Sequence, residues 1–116
     1  MQQLSLLCRD QSELVLIGSS FGGLMATLFA DKNPDRVRRL ILLAPALNFP
    51  GFSVPKNQIE VDTHLIIGIN DMVTPINPVV DLAEKTFSDL IVNKVEDDHV
   101  LHKTFQDFNW KTLLDL

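Results

Sequence analysis

The chain has 116 residues, which is enough for one domain with a single core, so we predict that residues 1–116 form one domain. A hydrophobic fraction of 46% is too high for a disordered chain. Ten basic and 15 acidic residues give a formal net charge of −5 at pH 7. This charge argues against nucleic acid or an anionic membrane as a partner, because both attract proteins with a positive field.

The chain shows no sign of export or membrane insertion. Its single cysteine, Cys8, excludes an intramolecular disulfide and fits a reducing compartment. Residues 1–7 have no basic residue ahead of their short apolar stretch, unlike a signal peptide. The longest apolar run, 40–47, contains Pro45 and is too short to cross a bilayer. We therefore expect a soluble, cytoplasmic protein.

Apolar runs with the character of strands alternate with segments of helical character. The predicted elements are, in chain order, a helix over 2–10, a strand over 14–17, a helix over 21–32, a strand over 37–43, a loop over 46–63, a strand over 65–69, a helix over 77–87, a strand over 90–95 and a helix over 100–114. Asn77 is the expected cap of its helix, with Pro78 at the first helical position. The alternation predicts an α/β fold with a parallel sheet of about four strands and flanking helices.

Chemistry in such a sheet is expected beyond the carboxyl ends of the strands. The first of the apolar strands ends in the G-x-S-x-G pentapeptide of residues 18–22, the sequence of a nucleophile elbow. Gly18 and Gly22 lack a Cβ, so the two arms of the turn can approach each other and present the Ser20 hydroxyl. The Phe21 N–H then lies at a helix N-terminus, where it can bind an oxyanion.

An acid and a histidine follow later strands. Asp71 comes after the strand over 65–69, and His99 comes after the strand over 90–95, so both are expected on the same edge as Ser20. The order Ser, Asp, His is that of one class of serine hydrolase. Among the rival groups, His64 begins its strand on the opposite edge, and His102 lies one helical turn beyond His99. Asp97 and Asp98 adjoin His99, but neighbours in an extended segment point apart.

Four segments together resemble the α/β-hydrolase superfamily. Residues 14–23 are similar to its elbow strand and turn, residues 33–45 to its helix-to-strand link, residues 68–75 to its acid segment and residues 97–99 to its histidine segment. The short proline-containing loop after Pro45 resembles that of small bacterial esterases of the YqiA type. The resemblance covers nearly the whole chain and implies a serine esterase with no metal or organic cofactor and a small ester as its substrate partner.

In the interpretation as an esterase, Ser20 attacks the acyl carbon, His99 moves the proton and Asp71 orients His99. The Phe21 N–H binds the oxyanion, and Leu47, Phe49 and Phe52 are candidates for an acyl pocket, although they could equally cover the core.

The chain also departs from the superfamily pattern. Members usually have about eight strands, and the resemblance implies that this chain corresponds to the C-terminal half. No H-G loop, the usual source of a second oxyanion N–H, occurs before Ser20. The helical cap near residues 47–64 is reduced to a loop. We also expect the elbow strand to become an open apolar edge, which would favour a homo-oligomer.

Two other interpretations stay open. The chain could be a catalytically impaired remnant or fragment that acts as an interaction module, since half of the superfamily pattern is missing. It could also be a doubly wound nucleotide or phosphate binder, but it has neither a G-x-G-x-x-G sequence nor a P-loop lysine.

Overall fold

A computed structural model describes residues 14–96 of the chain and the backbone of residues 3–8. The elements are, in chain order, β1 (Gln3–Cys8), β2 (Leu14–Ser19), α1 (Phe21–Lys32), a 3-10 turn (Pro34–Arg36), β3 (Val37–Leu43), β4 (Asp62–Gly68), α2 (Ile76–Thr86) and β5 (Leu90–Val95). The five strands form one sheet in the order β1-β2-β3-β4-β5. Strands β2 to β5 are parallel, which confirms the predicted α/β fold with about four parallel strands and flanking helices.

Strand β1 corrects the prediction of a helix over residues 2–10. It pairs antiparallel with β2 along its whole length, from Gln3 opposite Ser19 to Cys8 opposite Leu14. The periodicity of a short apolar segment does not distinguish a strand from a helix. The open edge of β2 offers a full row of backbone partners, and pairing with that edge favours the strand.

The edge of the elbow strand β2 is therefore occupied within the chain. The expectation of an open apolar edge at β2 is wrong, and with it the stated reason for a homo-oligomer through that edge. Any pairing between copies along this side of the sheet would involve β1.

The central strands bury both faces, which explains their nearly continuous apolar sequences. Successive side chains alternate between the two sides of the sheet. The main buried cluster holds Leu16, Leu40, Leu42, Leu65 and Ile67 together with residues of both helices. A second cluster on the alternate positions holds Val15, Ile41, Leu43, Ala44 and Ile66.

Both described helices pack against the main cluster, on the same side of the sheet. This is the result expected when successive parallel strands are joined by right-handed crossovers. Helix α1 contacts the sheet through small residues, since Gly22, Gly23, Ala26 and Ala30 are all buried. Small side chains allow the helix to lie close to β2, so the start of α1 is held near the end of the elbow strand.

The bounds of β2, β4 and α2 differ from the sequence prediction by one to three residues. Strand β4 begins at Asp62 because Thr63, although polar, is fully buried and donates its hydroxyl to the Val61 carbonyl. Helix α2 begins at Ile76 with Pro75 as its N-terminal cap residue, so the predictions of Asn77 as cap and Pro78 as first helical residue are wrong. Pro78 still falls in the first turn, where its missing N–H has no helical partner.

The predicted loop over residues 46–63 is irregular up to residue 61, apart from an isolated bridge between Ile59 and Phe87, and its last two residues belong to β4. Within residues 14–96, no helix is long and apolar enough to span a membrane. The helix predicted over 100–114 lies outside the described residues, as do Asp97, Asp98, His99 and His102.

Candidate active site

Two of the three predicted catalytic residues emerge at the same edge of the sheet. Ser20 directly follows β2, and Asp71 lies three residues beyond the end of β4. Because β2 and β4 are both parallel to β3, their carboxyl ends point the same way with one strand between them. His99, the third predicted residue, lies outside the described part of the chain.

Ser20 adopts a backbone conformation that few non-glycine residues occupy. Its φ is 54° and its ψ is −121°, at the junction of β2 and α1. A positive φ brings Cβ into steric conflict with the backbone, and such strain persists only where surrounding contacts enforce it. Strained backbone of this kind is concentrated at functional positions, and here it occurs at the central serine of the G-x-S-x-G pentapeptide.

The turn is held from the neighbouring strand as well as from its own helix. The Ser20 N–H donates to the Leu43 carbonyl at 2.9 Å, and the Ser20 carbonyl accepts from the Ala46 N–H at 2.9 Å. The same carbonyl accepts from the Gly23 N–H at 3.0 Å as α1 begins. The segment after β3 therefore acts as a clamp on the strained serine. It contains Ala44, which also has a positive φ, of 46°.

Two glycines make this close approach possible. A Cβ at Gly18 would lie 2.3 Å from the Gly22 carbonyl oxygen and 2.6 Å from its carbonyl carbon. A Cβ at Gly23 would lie 2.8 Å from the Pro45 Cβ. The predicted steric role of Gly18 is thus visible as a contact between the strand and the helix that the turn connects.

Phe21 is the first residue of α1, and its amide lies in the first turn of the helix. Amides in a first turn have no carbonyl partner within the helix, and the helix dipole adds partial positive charge there. This position suits the role of oxyanion donor predicted for the Phe21 N–H.

Asp71 is almost completely buried, with 6% of its surface exposed. Its Oδ1 accepts hydrogen bonds from the Val73 N–H at 2.8 Å and from the Thr74 N–H at 2.6 Å. Its Oδ2 accepts from the Thr74 hydroxyl at 2.5 Å. Donors from its own turn therefore hold both carboxylate oxygens, which fixes the side chain in one orientation.

Thr74 is a residue of this site that the sequence prediction missed. It is 1% exposed and contacts both oxygens of Asp71. A partial signal is present in the sequence, because an aspartate in a turn commonly accepts a hydrogen bond from the backbone two residues on, as Asp71 does from Val73. The strand pattern predicts the position of Asp71 but not the hydrogen-bond donors that orient its carboxylate.

The three acyl-pocket candidates occupy different environments. Leu47 is 1% exposed and belongs to the main core cluster. Phe52 is partly buried and packs against that cluster. Phe49 is 47% exposed, and its ring meets the Phe21 ring edge to face at a centroid distance of 5.3 Å. Of the three, Phe49 is directly linked to the residue that follows Ser20.

The loop after β3 also contacts the acid loop, which is residues 69–75 between β4 and α2. The Asn48 side-chain amide donates to the Val73 carbonyl at 3.2 Å. Beside this bond, Val73 is 60% exposed and Met72 is 90% exposed. Apolar side chains from two loops, Phe49 on one and Met72 and Val73 on the other, therefore border the edge of the sheet that carries Ser20 and Asp71.

The rejected candidate His64 lies far from this edge in the sheet register. It is the third residue of β4, and its Nε2 is 3.4 Å from Asp62 Oδ1 at the amino end of the same strand. Within residues 14–96, no group of three or more histidine, cysteine, aspartate or glutamate side chains is arranged to hold a metal ion.

A family model described as the alpha/beta hydrolase fold matches residues 2–58. This range includes β1, the elbow strand β2, helix α1 and strand β3. The comparison with curated proteins gave no match.

Solved structures extend the likeness over most of the chain. A predicted CIB-like hydrolase from Thermoplasma acidophilum is 26% identical, with a TM-score of 0.66 over 86% of this chain and 50% of its own. An alpha-beta serine hydrolase homologue from Coxiella burnetii is 23% identical, with a TM-score of 0.68 over 88% of this chain and 48% of its own. An alpha/beta hydrolase enzyme from a lagoon-sediment metagenome of Mar Chica, Morocco, is 19% identical. Its TM-score is 0.68, and the match covers 90% of this chain and 60% of that enzyme. This chain thus spans about half the length of the first two.

Proposed function

This chain has the α/β-hydrolase fold, and we propose that it is a serine hydrolase that cleaves carboxylic esters through an acyl-enzyme on Ser20. The observation that carries the proposal is the backbone of Ser20, whose φ of 54° is enforced by contacts from β3 and α1. An ordinary glycine-serine turn needs no such strain. A turn that must present a hydroxyl above the end of a sheet does.

The proposed reaction has two halves. In the first, the Ser20 hydroxyl attacks the acyl carbon while His99 takes its proton, and the Phe21 N–H stabilises the oxyanion. His99 then protonates the departing alcohol, which leaves an acyl group on Ser20. In the second, His99 takes a proton from a water molecule as the water attacks the acyl carbon. His99 then returns that proton to Ser20 Oγ as the bond between Oγ and the acyl carbon breaks, and the carboxylic acid is released.

Asp71 is proposed to orient His99 and to stabilise its protonated form. A carboxylate has about four acceptor positions, and the donors from Val73 and Thr74 account for three of them. The proposal requires a further bond from an imidazole N–H of His99. Burial of Asp71 supports this role, because a buried carboxylate acts on a neighbouring cation with little screening by water.

An ester is the substrate class that the site supports best. Its acyl carbon is more electrophilic than that of an amide and its alcohol leaves more readily than an amine, so an ester demands less catalytic assistance than an amide. The exposed apolar side chains of Phe49, Met72 and Val73 at the site's border favour an apolar acyl or alcohol group. The finer resemblance to YqiA-type esterases stays a prediction.

Labelling with a fluorophosphonate probe tests the proposal. The folded protein should become covalently labelled, as an increase in intact mass, and the Ser20→Ala variant should not. Ser19→Ala is the matched control, because it removes the adjacent hydroxyl and should leave labelling intact. Labelling that persists in Ser20→Ala, or none in a folded wild-type sample, contradicts the proposal.

One observation favours a second candidate function. The Phe21 N–H is the one oxyanion donor proposed for this site, and lack of a second donor can lower kcat about 10²- to 10³-fold. In that case the chain would be an impaired hydrolase that serves as an interaction module. A well-folded wild-type protein that resists the probe is the result this alternative predicts.

A further inference from the structure

We propose that Thr74 is a positioning residue for the reaction at Ser20, acting by fixing the orientation of the Asp71 carboxylate. This inference rests on the proposed hydrolase function and adds a residue to it. Thr74 does not touch substrate in this account. It acts only through Asp71, and through the imidazole that Asp71 orients.

The geometry that carries the inference is a two-point contact from one residue. The Thr74 N–H donates to Asp71 Oδ1 at 2.6 Å, and the Thr74 hydroxyl donates to Oδ2 at 2.5 Å. The second contact on Oδ1 comes from the Val73 N–H at 2.8 Å. The two backbone N–H groups thus donate to Oδ1, and the Thr74 hydroxyl donates to Oδ2.

The hydroxyl matters because the last side-chain torsion of an aspartate is soft. Rotation about Cβ–Cγ lies in a broad energy well, unlike the staggered torsions closer to the backbone. If only Oδ1 accepted hydrogen bonds, the side chain could still adjust so that the position of Oδ2 varied. A bond to each oxygen fixes the plane, so the direction from which a histidine N–H can approach is fixed as well.

Burial strengthens this argument. Thr74 is 1% exposed and Asp71 is 6% exposed, so water has little access to replace a missing donor. A carboxylate deprived of a buried partner must turn toward another donor or accept a weaker arrangement. Either change moves the acid relative to the histidine that it orients, and displacements near 1 Å can cost about 100-fold in rate.

A purely structural role for Thr74 makes a different prediction, and two variants separate the roles. Thr74→Val keeps the size and the buried methyl group but replaces the hydroxyl with a second methyl group. Thr74→Ser keeps the hydroxyl but removes a methyl group. If Thr74 positions Asp71, valine lowers kcat and serine does not. If Thr74 serves only folding, both lower the Tm and neither changes kcat in folded protein.

The measurement is steady-state hydrolysis of p-nitrophenyl acetate together with the rate of fluorophosphonate labelling. Each variant is assayed at a temperature where circular dichroism shows it fully folded. We expect Thr74→Val to lower kcat about 10- to 100-fold with KM within about twofold, and Thr74→Ser to stay within about threefold of wild type. Thr86→Val is the matched control, since Thr86 is also fully buried but donates its hydroxyl to the Leu82 carbonyl within α2. It should leave kcat unchanged.

A double variant tests whether the effect passes through Asp71. In an Asp71→Asn background, adding Thr74→Val should lower the labelling rate by less than about threefold, because the carboxylate that it orients is already gone. An undiminished effect in that background overturns the inference.

The remaining outcomes separate this inference from the proposed function. If wild type labels at Ser20 but Thr74→Val reacts like wild type, the positioning role is overturned and the hydrolase proposal stands. If Thr74→Ser is as slow as Thr74→Val, packing rather than the hydroxyl is responsible, and the role is again overturned. If folded wild type neither labels nor hydrolyses the ester, the proposed function fails, and the role of Thr74 fails with it.

Discussion

The elbow at Ser20 and the acid loop at Asp71 are held in place by different physical means. The elbow depends on the absence of a side chain at Gly18, because a Cβ there would collide with the Gly22 carbonyl. The acid loop depends on added polar groups, because donors from Val73 and Thr74 hold both carboxylate oxygens. The two regions should therefore lose stability in response to different substitutions. The elbow should be intolerant of added volume, and the acid loop should be intolerant of lost donors or acceptors.

Added volume at the elbow should have the largest effect. In Gly18→Ala the new Cβ would meet backbone atoms of Gly22 and Gly23 at 2.3 to 2.8 Å, and backbone cannot turn aside as a side chain can. We expect a loss of about 3 kcal/mol or more in the free energy of unfolding, measured by urea denaturation, the upper range for overpacking.

Gly51→Ala is the matched control for that variant. Its Cβ would meet only the Phe49 ring, at 3.1 and 3.3 Å, and a half-exposed ring can move. The cost should stay below about 1 kcal/mol. Equal costs at the two positions would contradict the steric account of the elbow.

Removing the acceptor from the acid loop should have the next largest effect. Asp71→Ala removes the acceptor of two backbone N–H groups and of the buried Thr74 hydroxyl. We expect a loss of about 2–3 kcal/mol in the free energy of unfolding, measured by urea denaturation.

Asp81→Ala is the comparison for this change, because Asp81 is 62% exposed and pairs on the surface of α2 with Lys85 at 3.1 Å. Its loss should change stability by less than about 0.5 kcal/mol. An Asp71→Ala variant as stable as Asp81→Ala would mean that the acid loop does not depend on its hydrogen bonds.

The smallest effect is expected where the two regions meet at the border of the site. Phe49→Ala removes the edge-to-face contact with Phe21 but leaves the backbone of the elbow intact. Stability should fall by about 1 kcal/mol, measured by urea denaturation. Met72→Ala, at a side chain that is 90% exposed, should have almost no effect. If Phe49→Ala proves as costly as Gly18→Ala, the ring is part of the support of the elbow.

The contrast between the two regions also explains how much of the molecule the sequence could predict. Helix α1 and strands β3 and β5 have their predicted bounds. Local signals set the first two, because the helix is stopped by Asn33-Pro34 and the apolar run of β3 is closed by Ala44-Pro45. The position of Gly18 against Gly22 also followed from the pentapeptide. Residues 3–8 were mistaken for a helix because their partner, the edge of β2, is not visible in a short apolar segment.

The acid loop shows the limit of the same approach. The placement of Asp71 at the end of a strand followed from the alternation of elements. The contact with the Thr74 hydroxyl depends on how a tight turn folds back on its own side chain, which the strand pattern does not encode. Likewise, Leu47 was a candidate for substrate contact, but its burial depends on the course of the irregular segment that packs against the helices.

Ser20, Asp71 and His99 are proposed to act together as one catalytic triad. The labelling rates of single and double variants measure whether their contributions are coupled. The rate constant for fluorophosphonate labelling should be measured for wild type, His99→Ala, Asp71→Asn and the double variant, each confirmed as folded. We expect His99→Ala to lower the rate about 1,000-fold or more, and Asp71→Asn to add little once the imidazole is absent, because groups in one catalytic unit are not additive. A His99→Ala variant that labels at the wild-type rate, or two effects that simply multiply, would contradict the account.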